Sequence, residues 1–191
     1  MKIAAVQMTA TLGEVGKNLQ STRHLATSAL QQGAQMVILP EFFPSAMGFH
    51  PRMNTAARPL DGEPASLLLE LARTHDGVIG GSFIATRKGG TFNTFILAFP
   101  DGTLYTHDKD QPTTWENCYY QGGADDGILS TPPWQHRRCP LLGICTRTNR
   151  PAAGQSVCPL THLLYYRIIR LLNSIFIRQN RQCGRCGHHE P

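Results

Sequence analysis

Glu41 follows a run of four apolar residues, Met36-Val37-Ile38-Leu39, and a proline, and is itself followed by Phe42 and Phe43. Where aromatic rings keep water from a carboxylate its charged form is disfavoured, which suits a general base working near neutral pH. The plain alternative is a solvated glutamate at a turn. Lys109 stands in His107-Asp108-Lys109-Asp110, at the end of an expected strand. An ammonium in that position can stabilise a developing oxyanion, or it can simply pair with Asp108 or Asp110 at the surface. Further on, Trp115-Glu116-Asn117 supplies a second carboxylate. Near the end of the chain Cys183, Cys186, His188 and His189 are chemically adequate zinc ligands, although Cys-x-x-Cys followed so closely by His-His leaves little room for a knuckle.

Groups this far apart in sequence need a scaffold to bring them together, and the pattern predicts an α/β one. Lys2 to Met8 reads as a central strand. From Lys17 the residues Leu19, Thr22, Ala26, Ala29 and Leu30 recur at helical spacing, and Gly33 follows as a stop. Met36 to Leu39 then reads as a strand buried on both faces, which Pro40 ends because it has no amide hydrogen to donate. Strand, helix, strand is a βαβ-type unit, with helices covering a sheet. Pro44 to Leu60 is a long irregular segment. Pro64 opens a second helix with Leu67, Leu68, Leu71 and Ala72 on one face. Gly77 to Ile84 reads as a strand whose glycines permit close backbone approach, and Phe92 to Phe99 pairs with Thr103 to Thr106 around the turn Pro100-Asp101-Gly102.

Composition divides the chain. Its 191 residues, 41% hydrophobic and 16% charged, are ordinary for a globular protein and sufficient for one domain. The net charge of +5 misleads as a whole-chain figure, because from Thr131 onward there are nine arginines, no lysine and one acidic residue, Glu190. Five of the six cysteines also fall there. The basic, cysteine-rich tail opens a second reading, a non-enzymatic module that holds zinc or nucleic acid. The opening apolar run is too short for a signal peptide and is broken by Gln7, so a cytoplasmic setting with free thiols is expected. No uncharged run is long enough to span a membrane, and Leu163 to Ile177 carries Arg167 and Arg170.

The ordered set of marks resembles the nitrilase, or carbon-nitrogen hydrolase, superfamily. These are the opening Lys-Ile-Ala-Ala-Val-Gln-Met strand, Asn18-Leu19 early in the first helix, Gly33-Ala34 before Met36 to Glu41, Asn93 in the third strand region, and Asp101-Gly102 before Lys109. The resemblance covers residues 1–131, leaving 132–191 as a non-matching Arg/Cys-rich tail. It implies an α-β-β-α sandwich, here incomplete, and a Glu-Lys-Cys triad that hydrolyses a small-molecule amide or nitrile through a thioester or thioimidate, with no cofactor. Glu41 matches the general base, Lys109 the lysine that stabilises the tetrahedral intermediate, and Glu116 the second glutamate of many members. Members commonly pair through the sandwich, so a homodimer is implied where the fold is complete, with no membrane and no nucleic acid involved.

The nucleophile is the departure from the pattern. Members carry a cysteine in a context such as Cys-Trp-Glu with an arginine a few residues on, whereas this chain has Ile144-Cys145-Thr146-Arg147. Pro140 to Cys145 can be encoded as CCT TTG CTG GGA ATT TGT, which reads Leu-Cys-Trp-Glu-Phe one base later. A frameshift just after Thr131, from a pseudogene or a sequencing error, is therefore expected, and no hydrolase activity from the chain as written.

Overall fold

A computed structural model describes residues 2–124. In chain order the elements are β1 (Ile3–Ala5), α1 (Val15–Gln31), β2 (Met36–Ile38), β3 (Arg58–Pro59), α2 (Glu63–His75), β4 (Val78–Arg87), β5 (Gly90–Ala98) and β6 (Leu104–Asp108), with 3-10 turns at Pro51–Thr55 and Thr114–Cys118. The six strands form one sheet in the order β1-β2-β4-β5-β6, with β3 paired to β4. β1, β2 and the start of β4 run parallel, joined by helical crossovers, while β4, β5 and β6 are antiparallel.

The period-two pattern of β2 buries both faces, as expected. Val37 packs with Ile79, Ile96 and Ala98 beneath the buried stripes of α1 and α2, while Met36 packs with Val78 and Leu97 on the opposite face. Successive strand side chains point to opposite faces, so a single short strand serves both layers. The helix layer and sheet supply one α-β half of a sandwich. α1 starts at Val15 rather than Lys17 because Val15, 3% exposed, extends the buried stripe a turn earlier. On α2 the four apolar residues expected in the core, Leu67, Leu68, Leu71 and Ala72, are all buried.

Two elements run differently from the sequence pattern. β4 continues past Ile84 to Arg87 and turns directly into β5 through Lys88-Gly89, with pairing maintained from Ala85↔Phe92 to Arg87↔Gly90. Side-chain interactions support this extension: the Arg87 guanidinium lies 3.9 Å from the Phe92 ring centroid and also binds Thr94 and Asp108. The segment Pro44 to Leu60 is not wholly irregular. His50 Nδ1 accepts a bond from the Arg52 amide at 3.1 Å, capping the 3-10 turn, and β3 then pairs with the far end of β4.

Candidate active site

Pro40 ends β2, and the chain turns sharply behind it. The amides of Ser45 and Ala46 both donate to the Phe42 carbonyl, at 3.0 and 2.8 Å. Phe42 has φ of +53°, a strained conformation for a bulky residue and one often retained beside functional groups. The turn is fastened to β4 by two bonds, from the Phe42 amide to Ser82 Oγ (3.3 Å) and from the Phe43 amide to the Ser82 carbonyl (3.2 Å). It is fastened to α1 by Asn18, 1% exposed, whose Nδ2 donates to the carbonyls of Thr11 (2.7 Å) and Pro44 (2.9 Å). Close packing beneath it requires Gly81: a Cβ there would meet Phe43 Cδ1 at 2.9 Å and Leu39 Cβ at 3.0 Å.

This geometry corrects the expectation that Phe42 and Phe43 shield Glu41. Both rings turn into the core, at 4% and 0% exposure, whereas the Glu41 side chain is 43% exposed. Positive φ at Phe42 reverses the chain, and Glu41, Phe42 and Phe43 all line a cleft of about 410 Å3. Met8, Pro40, Met47, Trp115 and Glu116 also line that cleft.

Lys109 reaches the same place from the end of β6, the last strand in the sheet order. Its amide donates to the Asn93 carbonyl at 2.9 Å, continuing the β5–β6 ladder one residue beyond β6. Its own carbonyl accepts from the Gly123 amide at 2.9 Å, an approach so close that a Cβ on Gly123 would lie 2.7 Å from the Asp108 carbonyl oxygen. Lys109 Nζ then donates to Glu41 Oε1 at 3.2 Å and to Glu116 Oε2 at 3.0 Å. Asn93 Nδ2 donates to Glu41 Oε1 at 2.7 Å. The ammonium and both carboxylates picked out in the sequence are thus brought together, and Asp108, one of the surface partners considered for Lys109, is bound by Arg87 and by Thr94 Oγ1.

Hydrogen bonding separates the two carboxylates. Glu116 is 7% exposed, and its Oε2 accepts from Tyr120 OH (2.6 Å), from the Thr113 amide and hydroxyl (2.7 Å each) and from Lys109. Burial alone would raise its pKa, but these donors outweigh it, the tyrosine first, and hold the carboxyl down at about 2. Burial likewise opposes the charge on Lys109, yet Glu41 and Glu116 overcome it and push its pKa above the ordinary lysine value. Burial and the bond to Glu116 raise the Tyr120 phenol, so it remains a donor. Near neutral pH these interactions favour the charged forms of both Lys109 and Glu116. Both described bonds to Glu41 land on Oε1.

Thr113, Tyr120 and the bond made by Asn93 had no assigned role in the sequence reading. Thr113-x-x-Glu116 is a capping-box pattern, and both of its reciprocal bonds are formed, so a local signal existed. For Tyr120 the only local hint is its place four residues after Glu116. Cys145, Cys183, Cys186, His188 and His189 lie outside the described residues. Among the described residues no three His, Cys, Asp or Glu side chains group as a metal site, and no helix is long and apolar enough to cross a membrane.

Comparison with known proteins matches residues 2–152 to the carbon-nitrogen hydrolase family, a span that includes Cys145. The chain is similar to a nitrilase from Pyrococcus abyssi, 29% identical over 64% of this chain and 48% of the relative. It is also similar to an omega-amidase from Bos taurus, 33% identical over 68% of this chain and 49% of the relative. Among solved structures, a carbon-nitrogen hydrolase superfamily protein from Xanthomonas campestris aligns with a TM-score of 0.58 at 28% identity, over 64% of this chain and 46% of that one. The chain spans about half the length of these relatives. With an α/β fold shared with such neighbours and a family match over most of its length, the chain belongs to the carbon-nitrogen hydrolase family.

Proposed function

We propose that the cleft is the acid–base half of a centre that hydrolyses the carbon–nitrogen bond of small amides or nitriles. The observation that supports this most directly is Lys109 Nζ held between Glu41 at 3.2 Å and Glu116 at 3.0 Å. In this reading a cysteine thiolate adds to the amide carbon, and the carbonyl oxygen becomes an oxyanion facing the Lys109 ammonium. The carbon–nitrogen bond breaks as the nitrogen takes the thiol proton relayed by Glu41, and ammonia leaves. Water, deprotonated by Glu41, then cleaves the thioester to the acid and restores the thiol. Glu116 moves no proton. Its role is to hold Lys109 in place.

The nucleophile belongs to the segment beyond residue 124, where Cys145, followed by Arg147, is the sequence candidate. The neighbours of Cys145 depart from the Cys-Trp-Glu pattern, so the chain as written is expected to lack turnover. Purified chain incubated with simple amides and nitriles should release no ammonia above a Cys145→Ala control. Turnover abolished by that substitution would overturn the inactivity and establish Cys145 as nucleophile. Turnover unchanged by Lys109→Ala would overturn the assignment of the site.

A further inference from the structure

We propose that Phe49, Trp115 and Tyr119 form a preformed platform for a flat, uncharged acyl group, so that the site selects arylacetamide-type amides over short aliphatic or charged ones. The inference rests on the hydrolase reading above and names its substrate class. The three rings meet edge to face, with centroids 6.1 Å apart for Phe49 and Trp115, 6.4 Å for Phe49 and Tyr119, and 6.2 Å for Trp115 and Tyr119. Phe49 is nevertheless 72% exposed and Trp115 37%, a large amount of ring surface left facing water.

The platform is built and not incidental. Tyr119 OH accepts from the His50 amide at 3.0 Å and donates to the His50 carbonyl at 3.2 Å, tying the loop that carries Phe49 to the 3-10 turn that carries Trp115 and Glu116. It also adjoins the chemistry, since Trp115 lines the cleft together with Glu41 and Glu116, next to its own sequence neighbour. A cleft of about 410 Å3 is of a size that suits a small molecule.

Charge narrows the choice further. The described lining residues include two carboxylates, Glu41 and Glu116, whose charge disfavours an anionic acyl group beside them. A cationic group would need a gap between the rings, as in an aromatic cage, and these rings pack against one another. What remains is a flat apolar group laid against the exposed faces.

Ligand-observed NMR titration of the full chain tests this without requiring turnover, using phenylacetamide, acetamide, succinamic acid and the amide of trimethylglycine. Phenylacetamide should bind about tenfold tighter than the other three, and Phe49→Ala and Trp115→Ala should each reduce that preference to about twofold. Phe49→Ala alters an exposed side chain, so a normal thermal melt will show that it still folds. Equal affinities, tighter binding of either charged amide, or a preference that survives both substitutions would overturn the platform. Selective binding with no turnover, even after a Cys-Trp-Glu segment is restored, would remove the hydrolase reading and leave the platform standing; turnover without preference would do the reverse.

Discussion

At the scale of single residues, hydrogen bonding distinguishes two carboxylates that composition cannot tell apart. Glu116 accepts four described hydrogen bonds on Oε2, whereas Glu41 accepts its described bonds, from Asn93 and Lys109, on Oε1. The folded pKa of Glu116, about 2, lies below its ordinary 4.5, so its contribution to stability is complete above pH 4.5 and is lost as pH falls from there toward 2. The upper size of that contribution is roughly 3 kcal/mol. Urea denaturation at stepped pH should show the loss, and Glu116→Gln should flatten the curve across that window while lowering stability at pH 7. Lys109 has the opposite sign: raised above its ordinary 10.5, it contributes fully below that pH, and its share is lost only in stronger base.

At the scale of elements, the turn after β2 is set by its fastenings. Asn18 bonds the Thr11 amide (2.8 Å) and the Thr11 and Pro44 carbonyls, so Asn18→Ala leaves buried backbone groups without partners and should cost about 2–4 kcal/mol in chemical denaturation. Gly81→Ala should act on the site from beneath, because the added methyl forces Phe43 and Leu39 away from β4 on either side of Glu41. A weaker Lys109–Glu41 pair, read as a change in the Lys109 side-chain resonances by NMR, is the expected outcome. The helices were the most legible elements. Leu68, with no exposed surface, lies on the face its spacing predicted, and Leu68→Ala should cost about 2–5 kcal/mol.

At the scale of the whole molecule, the chain belongs to a family whose members matched here are about twice as long, and the compositional break near Thr131 falls within the matched span. A frameshift there is our proposal for both the break and the altered surroundings of Cys145. The coding sequence across codons 128 to 150 checks it: Cys-Trp-Glu codons one base on are expected, and their absence would sink the idea.

Local pattern by itself determined the strand at Met36, its stop at Pro40, the buried stripes of both helices and the order of motifs that signals the family. Those features depend on backbone periodicity and on residues close in sequence, which a linear reading contains. Tertiary structure alone decided which groups meet. Lys109 and Glu41 are 68 residues apart and Asn93 and Glu41 are 52 apart, and they become neighbours only through the strand order and register of β2, β4, β5 and β6. The exposure of Glu41 was also beyond the sequence, because flanking phenylalanines indicate apolar surroundings only if the backbone keeps them beside the carboxylate. At Phe42 a left-handed turn sends them into the core instead.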